Sequence, residues 1–220
     1  MTGFTRSPKL IKGGLVVLDP NSGAVRRTIA LQYNPDTLTR SYEVQGVGGE
    51  SGGERAQPFR LKGPAIESIH LDAEIDATDA LEFPDQHANA VAFGIAPQLA
   101  ALEGLVNPSS TELQALGAQQ HAGTLEILLP EAPLTLFIWS ASRVVPVRVT
   151  DFSITEEAFD AALNPIRAKV SLGLRVLTTD DLGYDNRGGA MFINHLRTRE
   201  ALAGKTGSAS LQSLGLSGLP

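Results

Sequence analysis

The stretch "AIESIHLDAEID", Ala65 to Asp76, decides the fold class. Ile69, Leu71, Ala73 and Ile75 fall on one side of an extended chain, and His70, Asp72, Glu74 and Asp76 fall on the other. That period of two is the pattern of a strand with one buried and one wetted face. The alternation returns in "NPIRAKVSLGLRVLTT", Asn164 to Thr179, where Ile166, Ala168, Val170, Leu172 and Leu174 share one face and Arg167, Lys169, Ser171 and Arg175 share the other.

Working outward, "LIKGGLVVL" (Leu10 to Leu18) and "AVRRTIALQYN" (Ala24 to Asn34) flank the turn-rich "DPNSG" and read as a β-hairpin, with Ile29, Leu31 and Tyr33 toward the core. "PLTLFIWS" (Pro133 to Ser140) and "SRVVPVRVTDFSIT" (Ser142 to Thr155) are two more strands. The short "EEAFDAAL" joins the latter to the strand after Asn164 as an antiparallel neighbour. A mainly β (α+β) fold follows.

Between these runs the period changes. Val91, Ile95, Leu99 and Leu102 recur at helical spacing, with a start near Pro84-Asp85, a stop at Asn107-Pro108, and Pro97 placed to kink or split the helix. Ser109 to Gln120 reads as a second short helix or a polar connection, and "GGAMFINHLRTREALAG" as a short amphipathic helix before a small-residue tail with spaced leucines. Asn34-Pro35-Asp36 ends a strand, because proline has no amide hydrogen and Asn or Asp side chains bond to nearby backbone. The following segment 45–58 holds Gly46, Gly48, Gly49, Gly52 and Gly53 and almost no large apolar residue, so it reads as a long mobile loop or arm. It lacks the Gly-Lys-Ser/Thr ending of a phosphate-binding loop.

Composition narrows function by exclusion. The 220 residues include no cysteine, which removes disulfides, thiolate catalysis and cysteine-bound metals. A net charge of −6 with scattered basic residues argues against nucleic acid, and no apolar run approaches the length of a membrane span or of a signal-peptide core. Cytoplasmic synthesis and assembly are expected. His70, His87, His121 and His195 have no zinc-protease spacing, and no G-x-S-x-G elbow occurs. Glu156-Glu157 and Asp180-Asp181 lie where turns want polar residues rather than as a catalytic pair. Three acidic residues along one strand face form no closed oxygen cage for a cation. No cofactor, metal or catalytic residue is expected. Trp139, at a strand end, reads first as a core or rim anchor and second as a contact hot spot.

The order of the pieces resembles the tube-domain family of contractile injection systems, the phage-tail-like particles of bacteria. Tyr33-Asn34-Pro35 stands at the family's phenylalanine-Asn-Pro turn, Trp139-Ser140 at its Trp-Gly strand end, and Asn164-Pro165-Ile166-Arg167-Ala168 at its Pro-x-Arg-Ala signature. The resemblance covers roughly Leu10 to Leu182. Tyr33, Ser140 and Asn164 depart from the usual residues, and the glycine- and serine-rich tail shows no LysM-type module, the part by which the family is proposed to touch peptidoglycan or neighbouring baseplate proteins.

The resemblance implies a tail-tube-like β-barrel or β-sandwich with one or two flanking helices, spanning residues 1–182 with the glycine-rich loop 45–58 and a helical insertion 86–121. A short helix and flexible tail would fill 183–220. It further implies a ring of six that initiates the inner tube and joins it to the trimeric hub-spike, with baseplate wedge or sheath proteins as further neighbours. His70, Asp72, Glu74, Asp76, Arg167, Lys169 and Arg175 become candidates for lumen or intersubunit surfaces, and the glycine-rich segment for an assembly arm. The alternatives are the repeating inner tube protein itself and a cell-wall-binding baseplate module.

Overall fold

A computed structural model describes residues 11–19, 22–47, 60–121, 132–207 and 210–218. Seven strands form one antiparallel sheet: β1 (Gly14–Leu18), β2 (Val25–Ala30), β3 (Leu38–Glu43), β6 (Ile66–Asp76), β7 (Thr135–Ser140), β8 (Arg143–Phe159) and β9 (Pro165–Val176). Their order is β2-β1-β7-β8-β9-β6-β3. The remaining strands, β4 (Gly46–Val47) and β5 (Arg60–Leu61), pair as a small separate ladder at the base of the glycine-rich segment. Gly48, Gly49, Gly52 and Gly53 lie outside the described residues.

The mainly β (α+β) expectation holds, while a closed barrel or a two-sheet sandwich does not describe the described residues. β2 and β3, consecutive in sequence, are the two edges of one open sheet. Only residues 31–37 separate them. Eight Cα steps reach about 28 Å at most, and a flat seven-stranded sheet is about 29 Å from edge to edge. The sheet must therefore curl, bringing β2 toward the far end of β6. Gln32 makes the link: its side-chain amide donates to the Asp76 carbonyl at 2.7 Å and its side-chain oxygen accepts from the Asp76 N–H at 2.9 Å. One side chain thus imitates a strand's pairing across the mouth of the sheet.

The concave face is the core. In β6 the burial alternates strictly from Glu67 to Ile75, and in β9 Ala168, Val170, Leu174 and Val176 have no exposed surface. Full burial of each such Leu, Ile or Val contributes about 1.5–3 kcal/mol relative to exposure. Leu15, Leu31, Phe137, Val145 and Val147 complete the same cluster. Ile29 is half-buried against it, but Tyr33 is not a core residue: β2 ends at Ala30 and Tyr33 is 45% exposed.

Six α-helices, more than the one or two expected, flank the sheet among the described residues: α1 (Thr78–Leu81), α2 (Ala88–Phe93), α3 (Ala96–Glu103), α4 (Ser110–His121), α5 (Thr179–Leu182) and α6 (Arg187–Ala203). The expected long helix is split, with Pro97 in the first turn of α3, where its missing N–H costs nothing. The break falls at Gly94, whose φ of +57° only glycine adopts easily. A Cβ there would sit 2.0 Å from the Pro165 carbonyl oxygen, which instead accepts the Ile95 N–H at 2.8 Å. This anchors Ile95, Leu99 and Leu102 in the core, while Val91, expected on the same stripe, is 48% exposed because it precedes the break. Ser109 and Glu112 cap α4 reciprocally, so this segment is a helix rather than a connection. α6 lays Phe192, His195 and Leu196 over the core near β8. None of the described helices is long and apolar enough to cross a membrane.

Candidate functional site

The two charged rows are one surface. In the register of β6 with β9, Asp76 stands opposite Arg167, Glu74 opposite Lys169 and Asp72 opposite Ser171, all on the convex face. Arg167 Nε donates to Asp76 at 2.7 Å and lies 4.0 Å from Glu74. Lys169 pairs with Glu157 of β8 at 2.9 Å, and His70 contacts Ser171 at 3.3 Å with Asp72 3.8 Å away. Opposite charges directly across a ladder stabilise it modestly, and exposed pairs add little individually. The result is a continuous, internally compensated charged sheet face.

Arg175 lies at its far end and pairs with Asp181 of α5 at 2.9 Å. Asp181 also completes the capping box with Thr178, so Asp180-Asp181 open a helix. Glu156-Glu157 lie inside β8 rather than in a turn, because that strand runs on to Phe159 and the reversal is the tight Asp160–Asn164 segment.

Asp76 is the best-held carboxylate of this face. Burial pushes its pKa up, but hydrogen bonds from the Thr78 hydroxyl and backbone, with the Arg167 guanidinium, bring it below the usual aspartate value. The same pairings raise Arg167 and Lys169, each first through its hydrogen bond to a carboxylate.

The remaining motif residues are structural joints. Asn34 accepts the Gly13 N–H at 2.9 Å and donates to the Ile11 carbonyl at 2.8 Å, locking this turn to the segment that leads into β1. Pro35 is half-buried beside it. Trp139 is half-buried and stacks on Phe137 with ring centroids 5.9 Å apart, as a rim anchor should. Asn164 bonds Asp160 at 2.8 Å and reaches the Ala92 carbonyl at 3.3 Å, joining the β8–β9 turn to α2. Pro165 meets Gly94 and Ala168 is fully buried.

Two residues went unread in the sequence. Gln32 closes the sheet's mouth, as above. Glu67, 5% exposed, sits on the apolar face of β6 and accepts from Arg40 at 2.5 Å and from Arg199 of α6 at 3.5 Å. Its parity with Ile69 and Leu71 was the available signal, since a carboxylate in the apolar phase of a strand needs a cationic partner. No group of acidic residues and histidines among the described residues could hold a metal ion.

No family model and no curated relative matches the chain. Among solved structures, a chain from the tail of an empty gene transfer agent particle, with C6 symmetry, is 14% identical. The likeness covers 75% of this chain and 90% of that one, with a TM-score of 0.30. A chain from the virion of a native gene transfer agent particle is 15% identical over 74% and 90% of the two chains, with a TM-score of 0.28. Likenesses this distant assign neither a family nor a role.

Proposed function

We propose that this chain is a non-enzymatic structural subunit of a phage-tail-like contractile particle, forming the ring that starts the inner tube and joins it to the baseplate hub-spike. The observation that carries this reading is the sheet itself. It buries one face in its own core, presents a compensated charged face on the other, and leaves β2 and β3 as edges without a further strand partner among the described residues. Such a sheet suits subunits that join edge to edge around a watery channel, where a charged face stays wetted and free edges find partners. The order of the Asn34-Pro35, Trp139 and Pro165-Arg167-Ala168 pieces supports the same reading. Residues 1–182 would supply the tube-like part, 183–220 the C-terminal addition, and the β4–β5 segment an arm toward a neighbouring layer.

The test is cryo-electron microscopy of particles purified from cells expressing the tagged protein. One layer of density at the baseplate end of the tube is expected. Copies along the whole tube would make it the repeating tube protein, and absence from particles would overturn the proposal. Deleting Gly46 to Gly53 should leave the fold intact and reduce particle yield; normal particles would refute the arm.

A further inference from the structure

A second charged cluster lies on the opposite side of the sheet from the compensated face, and its charges do not balance. Arg40 and Tyr42 of β3, Glu67 of β6, Arg143 of β8, and His195 and Arg199 of α6 converge at one end of the concave face. The guanidiniums of Arg40 and Arg199 lie 5.2 and 5.3 Å from the centre of the Tyr42 ring and share the single carboxylate of Glu67. Arg143 makes no hydrogen bond or close ion pair among the described residues; burial, with the neighbouring charges of Arg40 and Arg199, lowers its pKa against the opposing attraction of Glu67. Among the described residues, three guanidiniums face one carboxylate, an excess of two positive charges, in a chain whose net charge is −6.

His195 is the second, independent sign. It is 5% exposed, yet both ring nitrogens are buried without a hydrogen-bond partner among the described residues. Burial, with Arg199, Arg40 and Arg143, holds it below the ordinary histidine pKa against the opposing pull of Glu67, so near pH 7 it is a neutral ring with one donor and one acceptor unused. The unmet ring N–H beside excess guanidinium charge has a fitting partner in an oxygen-rich anion, which accepts from it, while the bare ring nitrogen is left for a donor such as water or a proton that the anion carries.

We infer that Arg40, Arg143, Arg199 and His195 form a binding site for an oxyanion, a carboxylate or phosphate group seated beside Arg143 with Glu67 holding the other two arginines in place. Arg199, with 40% of its side chain exposed, and Tyr42, 41% exposed, put the outer rim of the cluster at the surface, with His195 buried beneath it. The anion has two sources, a free ion or the acidic side chain of a neighbouring copy.

The experiment uses the full chain at neutral pH, following histidine ring resonances by heteronuclear NMR. Sodium phosphate and sodium succinate are titrated against sodium chloride at matched ionic strength. A saturable shift of the His195 resonance with phosphate or succinate is expected, weakened at least fivefold by Arg143→Gln and partly restored by Arg143→Lys. No saturable response to either anion, or an unchanged response in R143Q, would overturn the site. A response to phosphate alone assigns free phosphate. A response to succinate assigns a carboxylate ligand, and sedimentation then separates its sources: self-association lost in R143Q marks a neighbouring copy, and a monomer marks a free ion.

Discussion

Replacing Glu67 by Gln tests whether the carboxylate holds two arginines on the apolar face of the sheet. The amide keeps the shape of the side chain but turns one acceptor into a donor facing guanidinium groups, leaving Arg40 and Arg199 without their counter-charge. Removing one partner of a fully buried ion pair costs about 3–5 kcal/mol. Glu67 qualifies, with 6% of its side chain exposed, but Arg40 and Arg199 are 23% and 40% exposed and recover part of their hydration. The expected loss is therefore about 2–3 kcal/mol. For a domain of this size that lowers the melting temperature by about 4–12 °C. Urea unfolding followed by the fluorescence of Trp139, the single tryptophan, reads the change through its stacking on Phe137. Raising the salt concentration should narrow the gap by screening the exposed arginines. A loss below about 0.5 kcal/mol would refute the reasoning, since surface substitutions commonly cost no more than that.

Four other outcomes follow from the same structure. Gln32→Ala removes both bonds to Asp76 and should cost about 1–3 kcal/mol in urea unfolding, and a neutral result would mean that the sheet's mouth holds without it. Gly94→Ala combines a positive φ with a Cβ against the Pro165 carbonyl; a loss of at least about 2 kcal/mol is expected, and an unchanged unfolding midpoint would contradict that geometry. Asp76 has a folded-state pKa below its ordinary 3.8, so its contribution is present above that value and is lost as pH falls through the folded pKa. Asp76→Asn should accordingly flatten the acid limb of a stability–pH curve, and an unaltered limb would argue against the held carboxylate. Ile69→Asp or Leu71→Asp, each burying an unpaired charge at a site at most 2% exposed, should prevent folding as read by circular dichroism.

Much of the sheet was legible because alternation is local. The core residues of β6 and β9 follow from parity alone, and Pro97 pointed to a split that falls three residues earlier, at Gly94. The edges of the sheet were not legible, because which strands pair is decided by contacts far apart in sequence. β2 and β3 follow one another in the sequence yet fold as opposite borders. Tyr33 was misplaced because parity carries no warning of where a strand stops, and here Gln32 turned away to bond Asp76. The charged rows were each visible, but their meeting was not, since it depends on the β6–β9 register. Gln32 was missed because its partner Asp76 lies far along the chain, whereas Glu67 carried a local sign, its parity with Ile69 and Leu71, although its partners Arg40 and Arg199 meet it only in the folded molecule.

The link between Gln32 and Asp76 also bears on how the molecule breathes. A backbone ladder opens only when several bonds break together, whereas this seam is held by one side chain whose rotation releases both bonds at once. Local opening should therefore begin at the mouth, well below the free energy of global unfolding, with the amide of Asp76 exchanging its hydrogen sooner than its neighbours in the middle of β6. If the mouth opens first, the radius of curvature of the sheet is the coordinate along which this fold would yield.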